Sequence, residues 1–288
     1  MPHHYHTIFS QVAEKITSLN HTKDESTENL YLNIIKNLGP DNDYTFQQIM
    51  LEYLSEFQIK SLFFYHRNLI GHNGFHVKKK SDHLVVTEVN EDTRLVVGDN
   101  ITAMSDDLIP VLETRYKKLL FHEVDAQQDW THIIDKQSKL DVLRGEEQYQ
   151  LEVKRFQSFP DNTISRYETY QIVTIYNFDD IVDYKNDLPV ILDLRYARGI
   201  TAQNYDADVI LISSQTKGSP ELYASQSDAY KIGETTFGAA NIYETMHFDD
   251  FIFVYGIEED GTATPDEYIE NDAIYDDVLS AAKRKILS

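Results

Sequence analysis

Apolar residues near the N-terminus recur at intervals of three and four, the spacing of one face of a helix. Three such stretches follow one another, and their apolar positions are Phe9, Val12, Ile16 and Leu19, then Tyr31, Ile34, Ile35 and Leu38, then Phe46, Ile49, Met50, Tyr53, Leu54 and Phe57. Gly39-Pro40 ends the second stretch, and Thr45 with Gln48 forms a capping box for the third. The pattern predicts a helical N-terminal domain over residues 1–66.

Later in the chain, apolar residues occur in short continuous runs, which is typical of strands buried on both faces of a sheet. Residues 189–192 and 209–212 are two such runs, and each changes abruptly to a polar loop. After the second loop, Ser219-Pro220 predicts a helix start, with Ser219 as the N-cap. A third loop, residues 233–238, contains two glycines. Because ligands of α/β proteins usually bind where such strands end, we expect the three loops to converge on one cleft.

The three loops resemble motifs of the S41 serine peptidases, the tail-specific or C-terminal processing proteases. Residues 193–199, DLRYARG, resemble that family's DLR-x-N-x-GG turn. Residues 216–221, TKGSPE, resemble its T-x-S-A-x-E nucleophile turn, and residues 233–238, GETTFG, its GE-x-T-FG-K segment. The resemblance implies an S41-type (ClpP/crotonase-like) α/β core over residues 158–288, in which Gly199 would donate an N–H to an oxyanion hole.

The family's two catalytic side chains are missing from the matched positions. The nucleophilic serine falls on Gly218, and the lysine that acts as general base falls on Ala239. Removing a nucleophile or base of this kind commonly slows an enzyme by about 10⁶. Ser219 is an alternative nucleophile if the turn is shifted by one residue, with Lys217 or Lys231, or a histidine, as its base. A helix N-cap would account for Ser219 equally well.

Residues 67–157 resemble a PDZ domain with a long helical insert at 108–136. The segment Gly74-Phe75-His76 is similar to the GLGF-type loop, whose exposed backbone N–H groups hold a terminal carboxylate while the peptide adds as an edge strand. These three residues are therefore candidate binding residues. Arg195 is a fourth, because it could orient a carboxylate, although pairing with a neighbouring acid is the alternative. For the whole β-rich module, the alternative is a spacer.

The charge and composition of the chain limit the kinds of partner that the protein could bind. The chain carries a net charge of −22, from 48 acidic and 26 basic residues, so a phosphate backbone would be repelled and we expect no nucleic-acid partner. No membrane-spanning run or export signal is apparent, and we expect a cytoplasmic protein with no membrane partner. The absence of cysteine excludes disulfides and thiol catalysis. We expect no cofactor or metal, and we expect the N-terminal histidines His3, His4 and His6 to lie in a mobile surface terminus.

Together these patterns predict a mixed α/β (α+β) protein with a helical N-terminal domain, a PDZ-like β-rich module and an S41-type core. The leading hypothesis is an S41-type peptidase homologue that lacks ordinary catalysis and binds a peptide or protein segment, for example a C-terminus. The first alternative is an active serine endopeptidase that uses Ser219 with a non-standard base. The second is a cytoplasmic scaffold or immunity-type interaction protein.

Overall fold

The computed structural model describes residues 3–39, 41–69, 71–157, 160–257, 262–271 and 276–288. In chain order the helices are α1 (His3–Ser18), α2 (Glu25–Lys36), α3 (Asp43–Ser55), α4 (Ile109–Arg115), α5 (Lys117–Leu120), α6 (Thr131–Asp135), α7 (Ser219–Gln226) and α8 (Asp277–Ile286). Short 3₁₀ helices span Arg67–Leu69 and Asp125–Gln127. The first strands are β1 (Leu62–His66), β2 (Phe75–Lys80), β3 (His83–Val89), β4 (Asn100–Met104), β5 (Asp107–Leu108), β6 (Lys139–Arg144) and β7 (Glu147–Glu152). The later strands are β8 (Thr163–Arg166), β9 (Gln171–Thr174), β10 (Val190–Asp193), β11 (Arg198–Gly199), β12 (Val209–Ile212), β13 (Lys217–Gly218), β14 (Tyr230–Gly233), β15 (Tyr243–Phe248), β16 (Phe251–Gly256) and β17 (Glu267–Tyr268).

The chain forms two compact units, Met1–Ile70 with Tyr243–Ile257, and Gly71–Ile242 with Glu258–Ser288. This division differs from the three predicted domains, 1–66, 67–157 and 158–288. Strands β15 and β16 lie in the predicted core by sequence, but β16 pairs with β1 and so belongs to the first unit. The PDZ-like and core segments group together in the second unit.

In the first unit, helices α1, α2 and α3 share a hydrophobic core with the antiparallel sheet β1-β16-β15. Two sequence predictions are wrong here: the mobile N-terminal segment and the capping box formed by Thr45 and Gln48. The N-terminal segment is helical from His3, and Tyr5 is buried, with its hydroxyl donating to Asp43 Oδ1 at 2.7 Å. The same hydroxyl accepts the N–H of Asn42, and α3 begins directly afterwards, so Thr45 lies inside the helix and does not cap it.

The PDZ-like part of the second unit is an antiparallel sheet in the order β2-β3-β4-β6-β7, with β5 beside β4. The predicted helical insert between β5 and β6 is present, but it is broken into α4, α5, the 3₁₀ turn Asp125–Gln127 and α6. Its buried side chains, with Trp130 the largest, pack on the inner face of the sheet.

The core part of the second unit is a six-stranded sheet in the order β17-β14-β12-β10-β9-β8, parallel except for β8. All four residues of β10 and of β12 are buried, as the continuous apolar runs predict. Alternate side chains point to opposite faces. Ile191 and Leu211 pack with α8, whereas Leu192 and Ile210 pack with Ala224 of α7. The predicted mixed α/β class is confirmed.

The last helix begins at Asp277, and residues 272–275 before it lie outside the described ranges. None of the helices in those ranges is both long and apolar enough to cross a membrane.

Candidate functional site

The three polar loops meet at one end of the parallel sheet. The loop after β10 leads into β11, and the loop after β12 leads into β13. These short strands pair in parallel, which sets Gly199 directly beside Gly218. The third loop joins them where the N–H of Phe237 donates to the carbonyl of Thr216 at 3.3 Å. The fold therefore brings together the three segments in which the sequence carries peptidase-like motifs.

Helix α7 begins one residue earlier than predicted. Gly218 occupies the N-cap position, Ser219 is already helical, and no side chain caps the first turn. The predicted N-cap role of Ser219 is therefore wrong. Gly218 has φ 81° and ψ −133°, a backbone region that residues with a side chain rarely adopt. A side chain at Gly218 would strain the turn, because the chain enters the helix through a conformation suited to glycine.

Glu221 connects the start of α7 to the third loop. Its side chain is fully buried, and its carboxylate accepts N–H groups from Gly238 at 2.5 Å and Ala239 at 2.8 Å, and the hydroxyl of Thr236. Burial raises the pKa of Glu221 to about 7, although these donors and the N–H of Gly218 pull it down. One carboxylate thus holds the two positions at which the family carries its nucleophile and base. The sequence analysis did not predict this role for Glu221.

Ser219 makes no hydrogen bond to a candidate base. Its residue is only 4% exposed, and within the described ranges its hydroxyl makes no hydrogen bond. The amine of Lys217 donates to Asp129 Oδ2 at 2.6 Å and lies 4.6 Å from the centre of the Phe237 ring. The amine of Lys231 donates to two backbone carbonyls, at residues 227 and 229. Both candidate bases are therefore directed at other groups.

The predicted oxyanion turn is packed tightly. A Cβ atom at Gly199 would come within 2.8 Å of Phe178 Cβ, so only glycine fits there. Asp179 Oδ1 accepts the N–H groups of Ile200 at 2.8 Å and Thr201 at 2.7 Å. Ile200 stands where the family has its second glycine, so one N–H of the turn already serves a carboxylate. A negative charge at this point would oppose the charge that develops on an oxyanion.

Arg195 is committed to two carboxylates. Its guanidinium donates to Asp193 at 2.9 and 2.7 Å and to Asp276 at 2.8 and 3.1 Å. Asp276 also caps α8 by accepting the N–H of Leu279. These contacts join the end of β10 to the start of α8. They correspond to the pairing alternative, and ligand binding by Arg195 stays a prediction.

The Gly74 loop also makes internal contacts. The N–H of Gly74 donates to His72 Nδ1 at 3.0 Å, and its carbonyl accepts the N–H groups of residues 90–92. Gly74 has φ 79°, and a Cβ atom there would lie 2.7 Å from the nitrogen of Asp92. Phe75 is buried in the PDZ-like core, and the ring centre of His76 lies 4.6 Å from that of Tyr196. Capture of a peptide carboxylate by Gly74, Phe75 and His76 stays a prediction, and the contacts seen here favour the spacer alternative.

Charged side chains link the PDZ-like sheet to the core and to the helical insert, and sequence reasoning missed them. The amine of Lys78 forms a buried ion pair with Glu234 in the third loop. The amine of Lys79 donates to Glu113 at 2.9 Å and Asp125 at 2.7 Å. Both lysines lie on β2, the edge strand to which a PDZ domain would add a peptide. No local signal could have revealed the first pair, because its partners are 156 residues apart.

Further contacts across the same junction involve Glu88 of β3. Glu88 Oε1 accepts the hydroxyl of Tyr176 at 2.6 Å. The backbone carbonyl of the neighbouring residue, Thr87, accepts the hydroxyl of Tyr196 at 3.3 Å.

No group of three or more His, Asp or Glu side chains in the described ranges is arranged to hold a metal ion.

Comparison with known proteins supports the fold. No protein-family profile matches the sequence, and no curated protein matches it. The solved structure of mature CPAF complexed with lactacystin is 10% identical, with a TM-score of 0.57 over 99% of this chain and 97% of that chain. A second structure of mature CPAF is 10% identical, with a TM-score of 0.56 over 98% and 95%.

A photosystem II D1 C-terminal processing protease is 13% identical, covers 99% of this chain and 97% of that chain, and has a TM-score of 0.46, from which we draw nothing. The neighbours are S41 family proteases. The likeness to CPAF at this low identity concerns the fold alone, and it confirms the S41-type fold predicted from the three motifs.

Proposed function

We propose that this protein is an S41-type peptidase homologue that lacks the Ser/Lys dyad and binds a peptide or protein segment without cleaving it. The observation that carries the proposal is the arrangement around Glu221. This carboxylate holds Gly218 and Ala239 together in a buried network, yet neither residue has a side chain that could attack or accept a proton. The framework of the dyad is kept, and its two reactive groups are absent.

Two further features support the loss of catalysis. The backbone at Gly218 adopts a conformation suited to glycine, so the turn is shaped for the residue that it now has. The oxyanion turn gives the N–H of Ile200 to Asp179. Since stabilisation of the oxyanion depends on N–H groups aimed at that position, the turn is a poor site for amide hydrolysis.

An active endopeptidase that uses Ser219 is the competing function, because the hydroxyl of this largely buried residue makes no hydrogen bond to the described residues and Lys217 lies two residues away. Burial lowers the pKa of Lys217, as a base would require, but the Asp129 carboxylate opposes this shift. Lys217 would have to leave Asp129 before it could accept a proton from Ser219. This contact places the active form second.

The test is to incubate the full chain with a synthetic library of unblocked peptides and to measure both retention and cleavage. Equilibrium dialysis followed by mass spectrometry would report which peptides are retained, and the same spectra would show new termini. We expect retention without new termini. Cleavage that disappears in the Ser219→Ala variant would support the endopeptidase, and neither retention nor cleavage would favour the scaffold alternative.

A further inference from the structure

A pocket of about 310 Å³ lies along one side of α7. Four of its lining residues, Ser219, Leu222, Tyr223 and Gln226, recur at helical spacing and form a stripe on the helix. The opposite wall is the connection between β11 and β12, which contributes residues 202–204.

Four polar side chains of the pocket make no hydrogen bond to the described residues, whereas the hydroxyls of Tyr223 and Ser227 are paired. Ser219 is more than nine-tenths buried, lines the pocket and has a hydroxyl with no hydrogen bond to the described residues. The carboxamides of Gln203, Asn204 and Gln226 likewise make no hydrogen bond within the described ranges. Each carboxamide offers both a donor and an acceptor, and the hydroxyl can serve as either. A ligand that carries donors and acceptors side by side would satisfy all four groups.

The pocket is uncharged although the protein is highly charged. Charged residues make up 26% of the sequence, yet none of the described residues lining the pocket is charged. Leu222, Ala202 and the ring of Tyr223 provide apolar surface between the carboxamides. The hydroxyl of Tyr223 is itself engaged, donating to the carbonyl of Tyr205 at 2.8 Å. A charged group would lose hydration here without gaining a partner of opposite charge.

We propose that this pocket binds one or two consecutive uncharged polar residues of a peptide, such as asparagine or glutamine, and that Ser219 acts there as a hydrogen-bonding residue. The volume is at the lower end of the range of ligand sites, which suits one or two residues better than a long segment. The carboxamides pair with the amide groups of the peptide, and Leu222 and Tyr223 cover its methylene groups. This inference rests on the proposed peptide-binding function and names the class of segment that the site accepts.

The test uses four fluorescein-labelled hexapeptides and fluorescence polarisation with the full chain. Two alanines flank each central pair on both sides, and the pairs are Asn-Gln, Lys-Lys, Glu-Glu and Leu-Leu. We expect the Asn-Gln peptide to bind most tightly. Ser219→Ala should weaken its binding about fivefold, the effect of one hydrogen bond, whereas Ser225→Ala on the same helix outside the pocket should not.

A pocket-filling variant tests the same site without removing a polar group. Ala202→Phe, which places a ring in the pocket from an exposed loop position, should weaken binding by about tenfold or more. The matched control is Thr201→Phe, at an exposed neighbouring position that does not line the pocket. Circular dichroism of each variant would show that the fold is retained.

The outcomes separate the inference from the proposed function. Binding of the Asn-Gln peptide that is unchanged in Ser219→Ala and Ala202→Phe would overturn the inference and leave peptide binding intact. Tighter binding of the Lys-Lys, Glu-Glu or Leu-Leu peptide would overturn it as well. If none of the four peptides binds while members of the unblocked library are retained, the inference alone fails. If the library is not retained either, the proposed function fails with it.

Discussion

Glu88 should make the stability of the protein depend on pH between about 4.5 and 7. Its Oε1 atom accepts the hydroxyl of Tyr176 at 2.6 Å, whereas its Oε2 atom is buried with no partner among the described residues. Burial raises the pKa of Glu88 to about 7, the hydrogen bond from Tyr176 opposes the rise, and the negative charge of Asp193 adds to it. Burial therefore favours the protonated form of this carboxyl group below about pH 7.

The sign and size of the effect follow from linkage. An unfolded glutamate releases its proton near pH 4.5, whereas Glu88 in the folded protein holds it to about pH 7. Between these values the folded state binds more protons, so the free energy of unfolding falls as pH rises. The contribution is fully present below pH 4.5 and lost above pH 7. At about 1.4 kcal/mol per pKa unit, it amounts to roughly 3 kcal/mol.

The Glu88→Gln variant should remove this dependence, because glutamine carries no charge and can still accept the Tyr176 hydroxyl. Urea unfolding of the wild-type protein and the variant at pH 5 and pH 8 would give the free energies of unfolding. Relative to the wild type, we expect the variant to gain about 2 to 3 kcal/mol between pH 5 and pH 8. Glu147→Gln, at an exposed position on β7, controls for the loss of a charge. An equal difference between Glu88→Gln and the wild type at both pH values would refute the reasoning.

Three further predictions concern the candidate site. Gly218→Ala should lower the free energy of unfolding by about 1 to 3 kcal/mol, because a residue with a side chain is strained at this positive φ. Urea unfolding would measure the loss. An unchanged free energy of unfolding would show that the turn relaxes without strain. Glu221→Ala should lower it by about 3 kcal/mol or more, since the buried N–H groups of Gly238 and Ala239 lose their acceptor. Thermal unfolding beside Glu147→Ala would test this, and equal melting temperatures for the two variants would contradict it. Lys217→Met and Asp129→Asn should each destabilise by about 2 to 4 kcal/mol, and the double variant by clearly less than their sum, because each single change leaves one largely buried member of the pair without its partner. A double-mutant cycle measures this coupling, and strict additivity would mean that the pair contributes nothing.

The sequence predicted the parts of the fold that local periodicity determines. The runs over residues 189–192 and 209–212 became β10 and β12, within one residue in the first case and at the same bounds in the second, because continuous burial on both faces leaves a clear apolar signal. The convergence of the loops also followed, since parallel strands end on one side of a sheet. The pairing of β16 with β1 could not be predicted from the sequence, because an apolar run does not indicate which strand it will pair with.

Site details that depend on one backbone angle or on distant partners were not predictable. Ser219 has the composition of an N-cap, yet the positive φ of Gly218 lets the helix begin one residue earlier. Similarly, the ion-pair partners of Lys78 and Lys217 depend on how the PDZ-like sheet and its helical insert pack on the core. The role of Glu221 could have been suspected from its place in the nucleophile motif, but its partners Thr236, Gly238 and Ala239, in and directly after the third loop, become visible only in three dimensions.

The most direct test of the central claim is the intact mass of the full chain after incubation with an excess of a fluorophosphonate, beside an active serine hydrolase as a positive control. Because Gly218 and Ala239 cannot supply a nucleophile and a base, and the amines of Lys217 and Lys231 donate to groups other than Ser219, we predict that the mass stays unchanged while the control is fully labelled. A stoichiometric adduct that maps to Ser219 and is lost in Ser219→Ala would contradict the claim that the protein keeps the peptidase framework without its chemistry.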